Sequence, residues 1–199
     1  MRHWWRRSIT RWEKSRRPRH RWVTSASWEL PFSRSGTGAA KAVFAGWQLN
    51  GIANFSSGTP FTVYDGVDFS QSGSAPEVQG FPANRPNLVA NPNNGPRTVE
   101  RWFDITAFQR LDPVGNAGQY GNAGRNIVRG PGFHGLDLSL LKTFPSREGH
   151  SLQFRAECFN FPNHPNFFIP ENDVASPNFG RILQAGPSRL LQFALKYLF

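Results

Sequence analysis

Several stretches of the chain alternate apolar and polar side chains with the two-residue period of a β-strand. In residues 21–32, Trp22, Thr24, Ala26, Trp28 and Leu30 fall on one face. A turn-like stretch at 33–41 leads into residues 43–58. There Trp47, Leu49, Gly51, Ala53 and Phe55 alternate with Gln48, Asn50, Ile52, Asn54 and Ser56. Residues 60–63 extend or restart that element. Further on, Leu136, Leu138 and Leu140 alternate with Asp137, Ser139 and Leu141. After a polar turn at 145–149, Leu152, Phe154, Ala156 and Cys158 alternate with Gln153, Arg155, Glu157 and Phe159, a hairpin by pattern. Residues 180–184 are predicted to form a short strand and 185–188 a turn. The last strand spans 189–199, with Leu191, Phe193, Leu195, Tyr197 and Phe199 in one row. About six strands are expected. Alternation alone fits a lipid-facing row and a half-buried strand of a soluble sandwich equally well.

The composition narrows the choice of membrane span without removing it. No window holds the roughly 20 consecutive apolar residues of a spanning helix. Mean hydropathy is −0.50. A barrel strand needs only about 9–11 alternating residues, so low hydropathy leaves a β-barrel open. Gly (19) and Pro (16) point to many turns. They concentrate in residues 64–131, an unusually long irregular segment for a compact soluble domain but an ordinary one for the outer loops of a barrel. Within it, residues 102–108 are predicted to make a short helical turn.

Charge changes the picture at one end only. Residues 1–21 carry nine Lys and Arg against Glu13, so that stretch supplies +8 of the chain's net +10. Residues 1–19 read as a basic tail expected to be disordered, and residues 20–199 as the folded part. A tail of this kind is suited to nucleic acid or an anionic surface. The alternative function is therefore a small basic soluble β-protein that binds nucleic acid through residues 2–21.

Candidate chemistry is sparse. Asp104 and Asp112 suggest an acid–base pair only by residue type. Arg155 and Glu157 sit two apart on one strand face and are expected to form a charge pair there. His134, His150 and His164 lack metal-ligand spacing, and the Gly-rich stretch 121–132 is not a phosphate-binding loop. Cys158 is the one cysteine, lies on the apolar face and reads as a small hydrophobe. No catalytic, cofactor-binding or metal residue is assigned, no cofactor is expected, and the chain is not expected to be an enzyme.

Several short motifs recur in a familiar order: Gly121-Asn122-Ala123-Gly124-Arg125-Asn126, Arg129-Gly130-Pro131-Gly132, Arg155-Ala156-Glu157-Cys158-Phe159-Asn160, Asn163-His164-Pro165-Asn166-Phe167, Phe179-Gly180-Arg181-Ile182 and the closing residues 189–199. With Trp28-Glu29-Leu30-Pro31-Phe32, Gly46-Trp47-Gln48-Leu49 and Ser57-Gly58-Thr59-Pro60-Phe61 ahead of them, the chain from about residue 18 onward resembles the C-terminal part of TonB-dependent receptors, the Oar-like outer-membrane β-barrel family. The resemblance implies an all-β fold, an antiparallel up-and-down sheet forming a partial transmembrane barrel with long loops. It also implies location in the cell outer membrane and nutrient uptake energised through TonB. The implied partners are outer-membrane lipid, the barrel assembly machinery reading Phe199, and the remaining barrel strands and plug; nucleic acid is not expected. The lipid-facing rows would be Leu136/Leu138/Leu140, Leu152/Phe154/Ala156 and the alternate residues from Leu191 to Phe199.

Residues 1–22 hold no apolar signal-peptide segment, and neither a plug nor a TonB-contacting segment is found. The chain is thus expected to be the C-terminal piece of a longer exported protein, with plug and further strands encoded upstream. It is not expected to transport alone. Single-chain barrels begin at about eight strands, and an open sheet in lipid leaves edge N–H and C=O groups unpaired.

Overall fold

The computed structural model describes residues 8–9, 20–31, 45–68, 70, 84–112, 114–115, 118–145 and 150–199. Among the described residues the chain is all-β apart from two 3-10 turns, Pro92–Asn94 and Ile105–Ala107. It divides into two compact units.

The first unit is a six-stranded antiparallel sheet. Its strands are β1 (Ser8–Ile9), β2 (Arg21–Glu29), β3 (Trp47–Ser56), β8 (Phe133–Pro145), β9 (Ser151–Phe159) and β10 (Leu190–Leu198). They lie side by side in that order, so the sheet is an up-and-down meander into which the long connections are inserted. The sheet is open: among the described residues β1 and β10 have one neighbour each. Register fixes which ends coincide. Ser56 pairs with Phe133, Phe159 pairs with Leu190, and Pro145 pairs with Ser151. The connections after β3 and after β9 therefore leave the same end of the sheet. The short β8–β9 turn lies at the other end, and β10 runs toward it.

The second unit comprises residues 58–132 and 166–186. It holds two small ribbons. One joins β4 (Pro60–Phe61) to β7 (Val128–Arg129); the other joins β5 (Asn87–Leu88) to β6 (Phe108–Gln109). Phe61, Val63, Phe103, Ala107, Phe108, Ala123 and Val128 are buried together. Phe103 is the hub, edge-on to Phe61, Phe108 and Phe179 at centroid distances of 5.7, 6.0 and 5.2 Å, within the range that favours T-shaped pairs. The segment that reads as one long loop is thus packed around a core of its own.

Sequence and structure part company in two places. Residues 180–184 are not a strand. Gly180 takes φ +85, and successive amides go to different partners: Gly180 N to Glu171 O, Arg181 N to Asn178 O and Ile182 N to Val99 O. The sixth strand of the sheet is instead β1, in the basic tail; the tail's other residues, like the turn at 33–41, lie outside the described residues. Of the two alternatives for residues 60–63 the restart is found: residues 60–61 form β4 in a separate ribbon. The helical turn expected at 102–108 is present as Ile105–Ala107, capped by Asp104 accepting from Thr106 N.

Candidate functional site: the two faces of the sheet

Residues paired across an antiparallel ladder share a face, so register carries the apolar row from strand to strand. From β10, Leu191, Phe193, Leu195 and Tyr197 pair with Cys158, Ala156, Phe154 and Leu152. These pair with Leu138, Leu140, Lys142 and Phe144 of β8. Leu140, Leu138, Leu136 and His134 pair with Leu49, Gly51, Ala53 and Phe55, and those with Trp28, Ala26, Thr24 and Trp22. All the rows read from the sequence therefore join into one continuous apolar surface.

Aromatic side chains mark both ends of that surface. Trp22 and Phe55 stand at the end of the long connections. Trp28, Trp47, Phe144 and Tyr197 stand at the short-turn end. From Trp47 to Phe55 the strand advances about 26 Å at roughly 3.3 Å per residue. At a tilt of about 35–45° it rises about 19–22 Å, most of the roughly 25 Å outer-membrane apolar band that such girdles flank.

The opposite face is polar. Gln48 Nε2 donates to Ser27 Oγ (2.8 Å) and Asn50 Oδ1 (3.1 Å). Arg155 pairs with Glu157 at 3.0 Å, as their spacing predicts. Asn54 Oδ1 and Arg155 Nε are buried there without a hydrogen-bond partner.

Lys142 breaks the apolar row. It is 2% exposed. Its Nζ donates to Ala45 O and lies over the rings of Phe144 (5.0 Å) and Trp47 (5.7 Å). Placed among the aromatics of the short-turn end, the ammonium reaches past the apolar row to a backbone carbonyl, as long basic side chains do at a membrane boundary.

A family model described as outer membrane beta barrel domain matches residues 6–192. The chain belongs to this family. This outer-membrane β-barrel domain thus resides in the outer membrane, with its continuous apolar surface as the one suited to lipid. The match displaces the alternative of a soluble β-scaffold. No curated protein and no solved structure matches the chain.

The barrel domain's loops are built by side chains that replace missing ladder bonds. After β9, Asn160 sits at φ 50 and Asn163 at φ 55, the left-handed region that Asn tolerates best after Gly. Asn160 N donates to Asp137 Oδ1 (2.8 Å). Its Nδ2 donates to His164 O (3.0 Å) and Pro187 O (3.1 Å), and its Oδ1 accepts from His164 N (3.1 Å). Asn163 Oδ1 accepts from Arg189 N. The motif therefore clamps both ends of the β9–β10 connection at the sheet's rim. Replacing Asn160 by Ala removes three side-chain bonds and leaves a left-handed residue with an unhelpful Cβ. We expect a loss of about 2 kcal/mol in denaturant unfolding, of which Asn160→Gly recovers the conformational part.

In the second unit, Asp65 is 1% exposed and is gripped by Arg110 through Nε (2.9 Å) and Nη2 (3.0 Å), while Val67 N also donates to it. That grip raises the Arg110 pKa further. Asp173 accepts from Gly66 N and Ala175 N, while Tyr64 N donates to Asn172 O and Val174 N donates to Tyr64 O. Burial, then the charges of Asp173 and Glu171, push the Tyr64 phenol up. These contacts tie the β3–β8 connection to the β9–β10 connection.

The acidic candidates Asp104 and Asp112 and the cysteine do not converge. Asp104 accepts from Thr106 and Arg101, and the Thr106 hydroxyl chiefly lowers its pKa. Asp112 accepts from Val114 N and Gly115 N in its own turn. Cys158 sits in the apolar row between Leu138 and Leu191. Among the described residues no group of three or more His, Cys, Asp or Glu is placed to hold a metal ion.

Proposed function

We propose that this domain supplies the closing strands of a TonB-dependent receptor barrel, a non-enzymatic component of nutrient uptake across the outer membrane. The observation that carries the reading is β10. It runs toward the short-turn end, presents Leu191, Phe193, Leu195 and Tyr197 in the apolar row, and delivers Phe199, 95% exposed, at its end. A terminal aromatic so placed suits the barrel assembly machinery. The open edges of β1 and β10 call for further strands, because unpaired backbone groups in lipid cost several kcal/mol each. The buried, unpaired Asn54 Oδ1 and Arg155 Nε on the polar face suit a polar plug segment within the barrel.

The test has two arms. Reading the DNA upstream should reveal a continuous frame encoding a plug and additional strands; a stop directly before residue 1 with no such frame sinks the receptor assignment. In cells carrying the full frame, deleting Phe199 should lower the amount of receptor in outer-membrane fractions. Undiminished assembly would refute the role given to that residue.

A further inference from the structure

His134 and His164 are thirty residues apart in the sequence, yet their ring centroids lie 5.2 Å apart with a 43° tilt. His134 opens β8, where register sets it opposite Phe55, whose ring is 5.8 Å away. His164 lies in the β9–β10 connection, and both its amide and its carbonyl are held by the Asn160 side chain. The two imidazoles are thus carried on fixed backbone: one in a ladder, the other in a clamp anchored through Asn160 N on Asp137. Both residues are exposed at the long-connection end of the sheet.

We infer that His134 and His164 form a two-ligand site for a borderline divalent transition ion such as Cu(II), Ni(II) or Zn(II). Metal–imidazole nitrogen bonds are about 2.0–2.1 Å long, and a ring centre lies roughly 1.1 Å behind its nitrogen. Two rings sharing one ion at angles between square and tetrahedral then have centroids about 4.5–5.3 Å apart. The observed separation falls inside that window. Imidazole donors select this class of ion over Mg or Ca, and Cu(II) heads the affinity order. Two protein ligands leave the other positions to water. The site is therefore one for an exchangeable metal ion at the rim, not a structural centre. The inference does not rest on the receptor assignment.

The test uses the protein in detergent with His3, His20 and His150 replaced by Gln, so that His134 and His164 are the histidines left in this sequence. Cu(II) chloride is titrated, with calorimetry and electron paramagnetic resonance as readouts. One ion per chain with coupling to two imidazole nitrogens is the expected result. Adding His134→Gln or His164→Gln should weaken binding at least as much as the roughly 10–100-fold that loss of an outer-shell partner costs. The signal should fall to one nitrogen. Absence of binding, or binding insensitive to both further substitutions, overturns the site. Zn(II) in place of Cu(II) gives a check free of backbone-amide coordination, with the same outcomes.

Discussion

Replacing Arg110 by Met is expected to destabilise the second unit by about 3 kcal/mol, the lower end of the roughly 3–5 kcal/mol that follows when one partner of a buried ion pair is removed. Asp65 is 1% exposed, and among the described residues its carboxylate accepts three hydrogen bonds, two of them from the Arg110 guanidinium. Without Arg110 the Val67 amide is the described donor that remains. The lower end applies because the Arg110 side chain is 42% exposed, so water can follow into the vacated space. The size of the loss comes from the stranded charge more than from the lost contact. Asp65→Asn with Arg110→Met removes the charge as well and should restore a good part of the stability. Hydrogen exchange at the amides of residues 64–67, 107 and 172–174 reads the effect. A single variant no more labile than the double would show that the pair does not hold these segments.

How far the sequence discloses this domain depends on which periodicity is present. In β9 and β10 the alternation is unbroken, and register joins the rows as their parity predicts. The Arg155–Glu157 pair is legible for the same reason. The second unit is legible only at its short helical turn. Phe61 and Phe108 reach its core from two-residue strands, and Val63 and Phe103 from irregular backbone, all too short to show a period. The segment holds its shape through Asn and Asp side chains bonded to backbone, residues that read in sequence as turn formers. Residues 180–184 read as a strand although Ile182 is buried and Gly180 turns the chain out of extended geometry. The juxtaposition of His134 and His164 depends on the folded return of the β9–β10 connection, which no local spacing encodes. Lys142 is the reverse case: its polarity argues against the apolar row, and only its reach to Ala45 O explains how it sits there.

Charge introduced on the two faces of β8 should separate them in energy. Leu138 pairs with Gly51 and Cys158 in the apolar row, while its neighbour Ser139 pairs with Asn50 and Glu157 on the polar face. Leu138→Arg places a guanidinium near the middle of the apolar band, halfway between the Trp47 and Phe55 levels. There Arg costs about 2–4 kcal/mol in an outer-membrane barrel. Ser139→Arg faces the interior, beside Glu157, and is expected to change stability by no more than about 0.5 kcal/mol, as surface substitutions do. Denaturant unfolding of the barrel in lipid vesicles measures both. Equal losses, or a larger loss for Ser139→Arg, would mean that the apolar surface does not meet lipid. The same row explains why the natural charge at Lys142 is tolerated four residues further on. The penalty falls toward about 0–1 kcal/mol at the interface, where the Trp47 and Phe144 rings flank the ammonium and Ala45 O receives its hydrogen bond. Lys142→Arg should therefore cost much less than Leu138→Arg, and the gradient between the two positions locates the membrane boundary on β8.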